Sequence, residues 1–131
     1  MYYRKSNKYN ATKTVVDGIE FSSRKEAKRY KELKIMLEAG EISDLQMQVP
    51  YELIPAIKEP DTIGVRGGRK PGKTIERSVV YVADFVYIDK DGNLVVEDVK
   101  GCRKSDMAAY RIFVIKRKMM LWKFGITVKE I

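Results

Sequence analysis

Charged side chains stand where a buried strand should carry none. Asp84 sits in the middle of Val80-Val82-Asp84-Val86-Ile88, an alternating apolar run, and Asp98 and Lys100 follow Leu94 and Val96 on one face of the next run. Burying an ionised carboxylate without a partner costs several kcal/mol. Two of them at strand positions therefore point to a partner that the chain itself does not supply, and a divalent cation such as Mg²⁺ or Mn²⁺ suits a pair of carboxylates.

The turn between the two runs decides whether the aspartates can meet. A three-residue loop at Lys90-Asp91-Gly92, with Gly92 left-handed in a G1 bulge, pairs Asp89 with Asn93 and steps Asp84 opposite Asp98. Cross-strand neighbours of that kind have Cβ atoms roughly 5 Å apart. A two-residue Asp91-Gly92 turn would slip the register by one and bring Glu97 to Asp84's face instead. The longer loop is preferred because it also sets Lys100 on the face of both aspartates, with Glu97 pointing away.

Other elements must deliver the remaining groups. Ser22 to Ala39 has the marks of a helix: Ser23 and Glu26 at capping-box spacing, Gly40 at the far end, and a Tyr30-Leu33-Leu37 apolar stripe. Glu26 lies on the line of that stripe, so it reads equally as the reciprocal cap and as a third acidic ligand. Before the helix, Val15 to Phe21 reads as a small hairpin on a type I′ Asp17-Gly18 turn. After it, Ile42 to Ile54 alternates as a strand, and Pro50 requires an edge position or a bulge.

Residues 55–77 hold four glycines and three of the four prolines, with Arg66, Arg69, Lys70, Lys73 and Arg77 clustered among them. They read as an exposed, basic, flexible loop. Gly67 to Thr74 fits the P-loop pattern G-x-x-x-x-G-K-[ST], but a strand follows where the phosphate cradle needs a helix. Contacts from a basic loop to nucleic-acid phosphates are the better reading. A second helix is expected from Asp106 to Trp122 with Ala108, Ile112, Ile115, Met119 and Trp122 as its apolar stripe, flanked by Ala109, Phe113 and Met120, and Ile126 to Ile131 as a last strand. The order is helix, three strands, helix, strand: one α/β domain over residues 1–131 with a mixed sheet, opened by a basic, tyrosine-bearing arm at residues 1–14.

Composition narrows the function classes. A chain of 131 residues supports one domain with a real core. Its net charge of +8 favours a polyanionic partner, with the acid concentrated at the strand pair. There is no histidine, which removes Ser-His-Asp hydrolysis and His-ligated zinc or iron sites, and a single cysteine, Cys102, excludes a disulfide within the chain. No apolar run approaches the roughly 18 residues of a membrane span, and Met1 to Asn10 lacks the apolar core of a signal peptide, so a cytoplasmic location is expected.

Asp84 after Ala83 on one strand, then Asp98-Val99-Lys100 at the end of the next, resembles the signature of the PD-(D/E)XK nuclease superfamily, with Ala83 in place of the motif's proline. The element order is similar to that superfamily's restriction-endonuclease-like αβββαβ core, and a first-helix Glu such as Glu26 often completes its site. Val16 to Phe21, Ala39 to Leu45 and Val96 to Gly101 further resemble small phage and prophage members, a Holliday-junction-resolvase-like group. The resemblance implies a metal-dependent DNA endonuclease, with junction or branched DNA as its substrate. Asp84, Asp98, the Val99 carbonyl and Glu26 would hold Mg²⁺ or Mn²⁺, and Lys100 would orient water or neutralise the transition state. Arg66, Arg69, Lys70, Lys73 and Arg77, with Lys104, Arg111 and Lys116, would grip the DNA backbone. Symmetric cutting of two strands would call for a homodimer, for which the sequence offers no seam. The competing reading is a non-catalytic nucleic-acid-binding protein on the same scaffold.

Overall fold

A computed structural model describes residues 13–100 and 108–131. Most of the basic arm, Lys104 and the expected start of the second helix at Asp106 lie outside the described residues. Strands β1 (Thr14–Val16) and β2 (Ile19–Phe21) form the first hairpin, and Asp17 and Gly18 both have positive φ (52° and 75°), as a type I′ turn requires. Helix α1 (Arg24–Glu38) follows, capped by Ser23, whose Oγ accepts from the Glu26 N–H at 3.1 Å. It ends in a Schellman motif at Gly40 (φ 73°), where Glu41 N–H donates to the Met36 carbonyl and Gly40 N–H to that of Leu37.

The central sheet is built from β3 (Ser43–Ile54), then β8 (Val79–Ile88) and β9 (Leu94–Asp98), and finally, after helix α2 (Ala108–Phe124), β10 (Lys129–Glu130). Its order is β10-β9-β8-β3, with β10 parallel to β9 and the other pairs antiparallel, so the architecture is α/β with a mixed four-stranded sheet. Pro50 sits on β3, an edge strand, where its missing N–H costs no ladder bond. One core lies between the sheet and α1, around Ala27, Tyr30, Leu33, Phe85 and Tyr87; the other lies toward α2, around Tyr81, Ala83, Val96, Phe113 and Met120.

The two cores reveal a change of face within the sheet. Leu45 and Met47 of β3, like Phe85 and Tyr87 of β8, pack with the α1 core, whereas Val49, Tyr51, Leu53, Tyr81 and Ala83 pack with the α2 core. All are odd-numbered and would share one face of a strictly alternating strand. The change falls at a single cross-strand pair, Gln48 opposite Asp84, bracketed by Met47↔Phe85 and Val49↔Ala83. Gln48 has φ 53°, a left-handed conformation that costs a non-glycine residue roughly 1 kcal/mol or more.

Residues 55–77, expected to form a flexible loop, instead carry two short ladders stacked along one hairpin arm. Strand β4 (Ile57–Lys58) pairs with β7 (Thr74–Glu76), and beyond them β5 (Thr62–Ile63) pairs with β6 (Arg69–Lys70). Asp61 braces the junction, accepting from the Gly72 N–H at 2.9 Å and from Arg69 Nε at 2.5 Å. At Gly72 a Cβ would fall 1.7 Å from the Glu59 carbonyl oxygen, so the close approach of the two strands requires glycine. The P-loop-like stretch ends in β7, a strand, and has no following helix to cradle phosphate.

Helix α2 turns inward the flank of its expected stripe rather than the stripe's centre. Phe113 and Met120 are buried, with Tyr110 and Val114 beside them, while Ala108, Ile112, Ile115 and Trp122 of the expected stripe are exposed. Two apolar stripes run along this helix, and the aromatic ring of Phe113 fills the core better than the smaller Ile112 and Ile115. Lys116 is not free for phosphate: its Nζ donates to the Val80 carbonyl at 2.8 Å and ties α2 to β8. Among the described residues no helix is long and apolar enough to cross a membrane.

Helix α1 is anchored to β9 by a buried ion pair. Glu97, with 0% exposure, accepts from Arg29 Nε at 2.9 Å and Nη2 at 2.5 Å, and from the Tyr87 hydroxyl at 2.6 Å. The Glu97 hydrogen bonds hold the Arg29 guanidinium charged, and burial, with Glu97 beside it, pushes the Tyr87 hydroxyl up to about 12. Arg29→Ala leaves Glu97 buried without a counter-charge and should destabilise the protein by roughly 3–5 kcal/mol in urea titrations. A loss well under 1 kcal/mol would show that the pair does not hold α1 to the sheet.

Candidate active site

The site begins where two strands part. From Ile88↔Leu94 to Phe85↔Glu97 the β8–β9 ladder is regular, and it stops one step short of Asp84 and Asp98. Beyond that point β8 continues alongside β3, while Asp98 pairs with Glu130 of β10. The register is the one expected from a three-residue loop: Asp89 N–H donates to the Asn93 carbonyl at 2.9 Å and Gly92 has φ 82°. Asp84 and Asp98 thus stand at matching positions on the two strands where the fork opens.

Each carboxylate is held by a different part of the fold. Asp84 Oδ2 accepts the Val99 N–H at 2.8 Å, standing in for the backbone carbonyl that a continued ladder would have offered, and Oδ1 accepts from Gln48 Nε2 at 3.2 Å. Asp98, nearly fully buried, accepts from the Tyr81 hydroxyl at 2.8 Å and lies 2.9 Å from Lys100 Nζ. Lys100 rests 4.0 Å from the centre of the Phe113 ring, and its own carbonyl accepts from Lys25 Nζ at 2.7 Å. Glu26, in the first turn of α1, is buried, and its Oε2 accepts from both the N–H and the hydroxyl of Ser22. The reciprocal arm of the capping box therefore reaches Ser22 rather than the cap residue Ser23.

The expectation of one face shared by Asp84, Asp98 and Lys100 needs correction. Asp98 and Lys100 do share a face, beside Phe113 of α2. Asp84 sits at the pair where the strands change face, and it lines a hollow of about 520 Å³ on the α1 side with Glu26, Gln48, Phe21 and Ser22. Glu97 is turned away onto Arg29 and Tyr87, as the register requires.

The electrostatics of the fork centre on Asp84. Burial pushes its carboxyl up to about 7; the Val99 N–H opposes that rise, while the charge of Asp98 and a hydrogen bond and charge from Glu26 add to it. Burial and then the Asp98 charge hold the Tyr81 hydroxyl firmly protonated, so it remains a donor to Asp98. The donor set is all carboxylate oxygen, the chemistry a hard divalent cation takes, and a buried excess of negative charge is what such an ion would relieve. Among the described residues no three acidic, cysteine or histidine groups converge closely enough to form a ready-made cation site.

The basic residues divide. Arg66, Lys70, Lys73 and Arg77 are exposed along or beside the arm, Arg69 is exposed but braced on Asp61, and Arg111 is exposed on α2. Sequence reasoning missed Gln48 and Tyr81, the two neutral groups that hold the aspartates. Gln48 was legible as the β3 partner of Asp84 once that pairing was fixed; Tyr81 follows from no spacing rule.

The titration of Asp84 has a definite sign. Its folded value lies above the ordinary 3.8, so the folded state binds the proton more tightly than the unfolded chain. Its contribution to stability is present at about pH 4 and is lost as pH rises through about 7, by roughly 2–4 kcal/mol for a shift of this size. Asp84→Asn, which keeps an oxygen for the Val99 N–H, should flatten that slope and melt above wild type at pH 8 without added metal. A variant that melts below wild type at pH 8 would make Asp84 a structural partner instead.

A family described as "Protein of unknown function (DUF1064)" matches residues 6–129, whereas no curated protein and no solved structure matches the chain. With nearly its whole length inside that match, the chain belongs to the DUF1064 family.

Proposed function

We propose that the fork is the active site of a metal-dependent DNA endonuclease of the PD-(D/E)XK type. The supporting observation is the meeting of Asp84 with Glu26 of α1 at one hollow, with burial raising Asp84 to about 7 and the charge of Asp98 adding to that rise. Carboxylates left to repel one another in a low-dielectric crevice suit a cation-binding role better than a purely structural one.

Asp84, Asp98 and Glu26, with the Val99 carbonyl, would hold Mg²⁺ or Mn²⁺. Such an ion, when bound, stabilises charge on a scissile phosphate and acidifies a water. The chain's own groups supply the rest. Lys100, now within 2.9 Å of Asp98, provides a positive charge at the fork for the developing negative charge of the phosphate. Tyr81 fixes the Asp98 carboxylate from the α2 side, and Gln48 fixes Asp84 from β3. Exposed cations of the arm and Arg111 attract the DNA backbone, giving salt-dependent affinity. Branched or junction DNA in phage replication or recombination is the substrate class, and a homodimer the assembly, that this reading would extend to.

A second reading, a non-catalytic DNA-binding protein on this scaffold, draws on the pairing of Asp98 with Lys100 and Tyr81, which satisfies Asp98 without an ion. Nicking of supercoiled plasmid and of a four-way junction separates the two. Wild type should cut with Mg²⁺ or Mn²⁺, and Asp98→Ala and Lys100→Ala should each lose on the order of a hundredfold or more. Wild type and Asp98→Ala equally inert, or equally active, would reject the catalytic reading. Mg²⁺ at a hundred times its dissociation constant should stabilise wild type by about 2.7 kcal/mol and leave Asp84→Asn unchanged.

A further inference from the structure

The arm of residues 57–76 is more than a source of positive charge. Between Thr62 and Ile75 it carries Arg66, Arg69, Lys70 and Lys73 and no acidic residue. Its tip is also apolar: Val65 is 109% exposed and Ile63, paired with Arg69 on β5–β6, is 82% exposed. The tip is tightly turned, with Gly64 N–H donating to the Gly68 carbonyl at 2.7 Å, Gly67 N–H to that of Gly64 at 2.9 Å, and φ 79° at Gly67. A purely phosphate-gripping loop has no use for two aliphatic side chains in water, each of which costs free energy to expose.

A narrow, two-stranded ribbon with cations along its sides and an aliphatic point matches one binding mode closely. Ribbons and arms of this kind enter the DNA minor groove, where arginine and lysine meet its negative potential and an apolar side chain wedges between base steps. We propose that the arm is a minor-groove wedge, with Val65 and Ile63 entering a base step, Arg66 and Lys70 lying along the groove walls, and the duplex kinked away from the arm. The Asp61 brace to Gly72 and Arg69 stiffens the ribbon midway along its length, so that the tip can deliver force to a base stack. The wedge presupposes DNA as the ligand of this chain, but it needs no cleavage at the fork. A stiff wedge would make the protein prefer DNA whose steps are already unstacked or easily kinked, which is how a branch or mismatch differs from uniform duplex.

The test uses the full chain in Ca²⁺, on a short A·T-rich duplex carrying 2-aminopurine at its centre and a donor–acceptor dye pair at its ends. Wild type should raise 2-aminopurine emission and shorten the end-to-end distance. The double variant Val65→Ala/Ile63→Thr should lose both signals and bind about tenfold more weakly, while Arg66→Ala should weaken binding and keep the bend of the bound fraction. Rescue of the double variant by a central mismatch would add support. A bend and emission unchanged in the double variant, or no binding of duplex by wild type, would overturn the wedge. Replacing residues 62–70 with Gly-Gly guards against a folding artefact: if the protein stays folded by circular dichroism and bends DNA as before, the arm is not the wedge. Cleavage is read separately on supercoiled plasmid and a four-way junction in Mg²⁺ or Mn²⁺; its absence alongside normal bending would sink the nuclease reading and leave the wedge standing.

Discussion

The cost of taking the Asp84 carboxylate out of water, beside the charge of Asp98, is the constraint around which the fork is arranged. A regular β8–β9 ladder would set Asp84 and Asp98 side by side in the middle of the sheet, where neither could be hydrated. The strands part at that pair, and Asp84 takes the Val99 N–H that the ladder has given up. Beyond the parting β8 continues beside β3, while β9 keeps β10 on its other edge at Glu97 and Asp98. The strain follows the same geometry, since Gln48, opposite Asp84, holds a left-handed backbone where the strands change face. Backbone strain placed at a polar crevice rather than in a loop is a common mark of a working site.

Two buried acids adjacent in sequence are handled in opposite ways. Glu97 has a bidentate arginine and a tyrosine hydroxyl, and with them it locks α1 to β9. Asp98 has one lysine and one tyrosine, and beyond it lie two more carboxylates. Glu97 is therefore a balanced structural group, while Asp98 meets Lys100 beside two further carboxylates. The lysine rests over the Phe113 ring of α2, which links the second core to the fork.

Much of this was legible in the sequence because it depends on local rules. Lys90-Asp91-Gly92 set the register, Ser23 and Gly40 set the ends of α1, Asp17-Gly18 set the first turn, and Pro50 marked an edge strand; each is a constraint of backbone geometry that one or two residues decide. The errors lie where tertiary contacts decide. Helix α2 has two apolar stripes, and periodicity cannot say which one the sheet will bury. The 55–77 stretch is rich in glycine and proline, which reads as a loop, yet Asp61 and the Gly72–Glu59 approach fold it into a ribbon. The change of face at Gln48–Asp84 breaks the period-2 rule itself, so alternation set Asp84 on the side of Lys100 when it in fact opens toward Glu26.

The central proposal is that the fork of Asp84 and Asp98, with Glu26 beside Asp84, takes up a divalent cation. Backbone amide spectra recorded during titration with substoichiometric Mn²⁺ test it most directly, because the paramagnetic ion broadens only the resonances near it. The account predicts that the amides of Asp84, Asp98 and Val99 and those of the first turn of α1 disappear first, and that excess Mg²⁺ restores them. Broadening confined to the exposed acids of the Asp89–Asp91 turn, with the fork untouched, would contradict it.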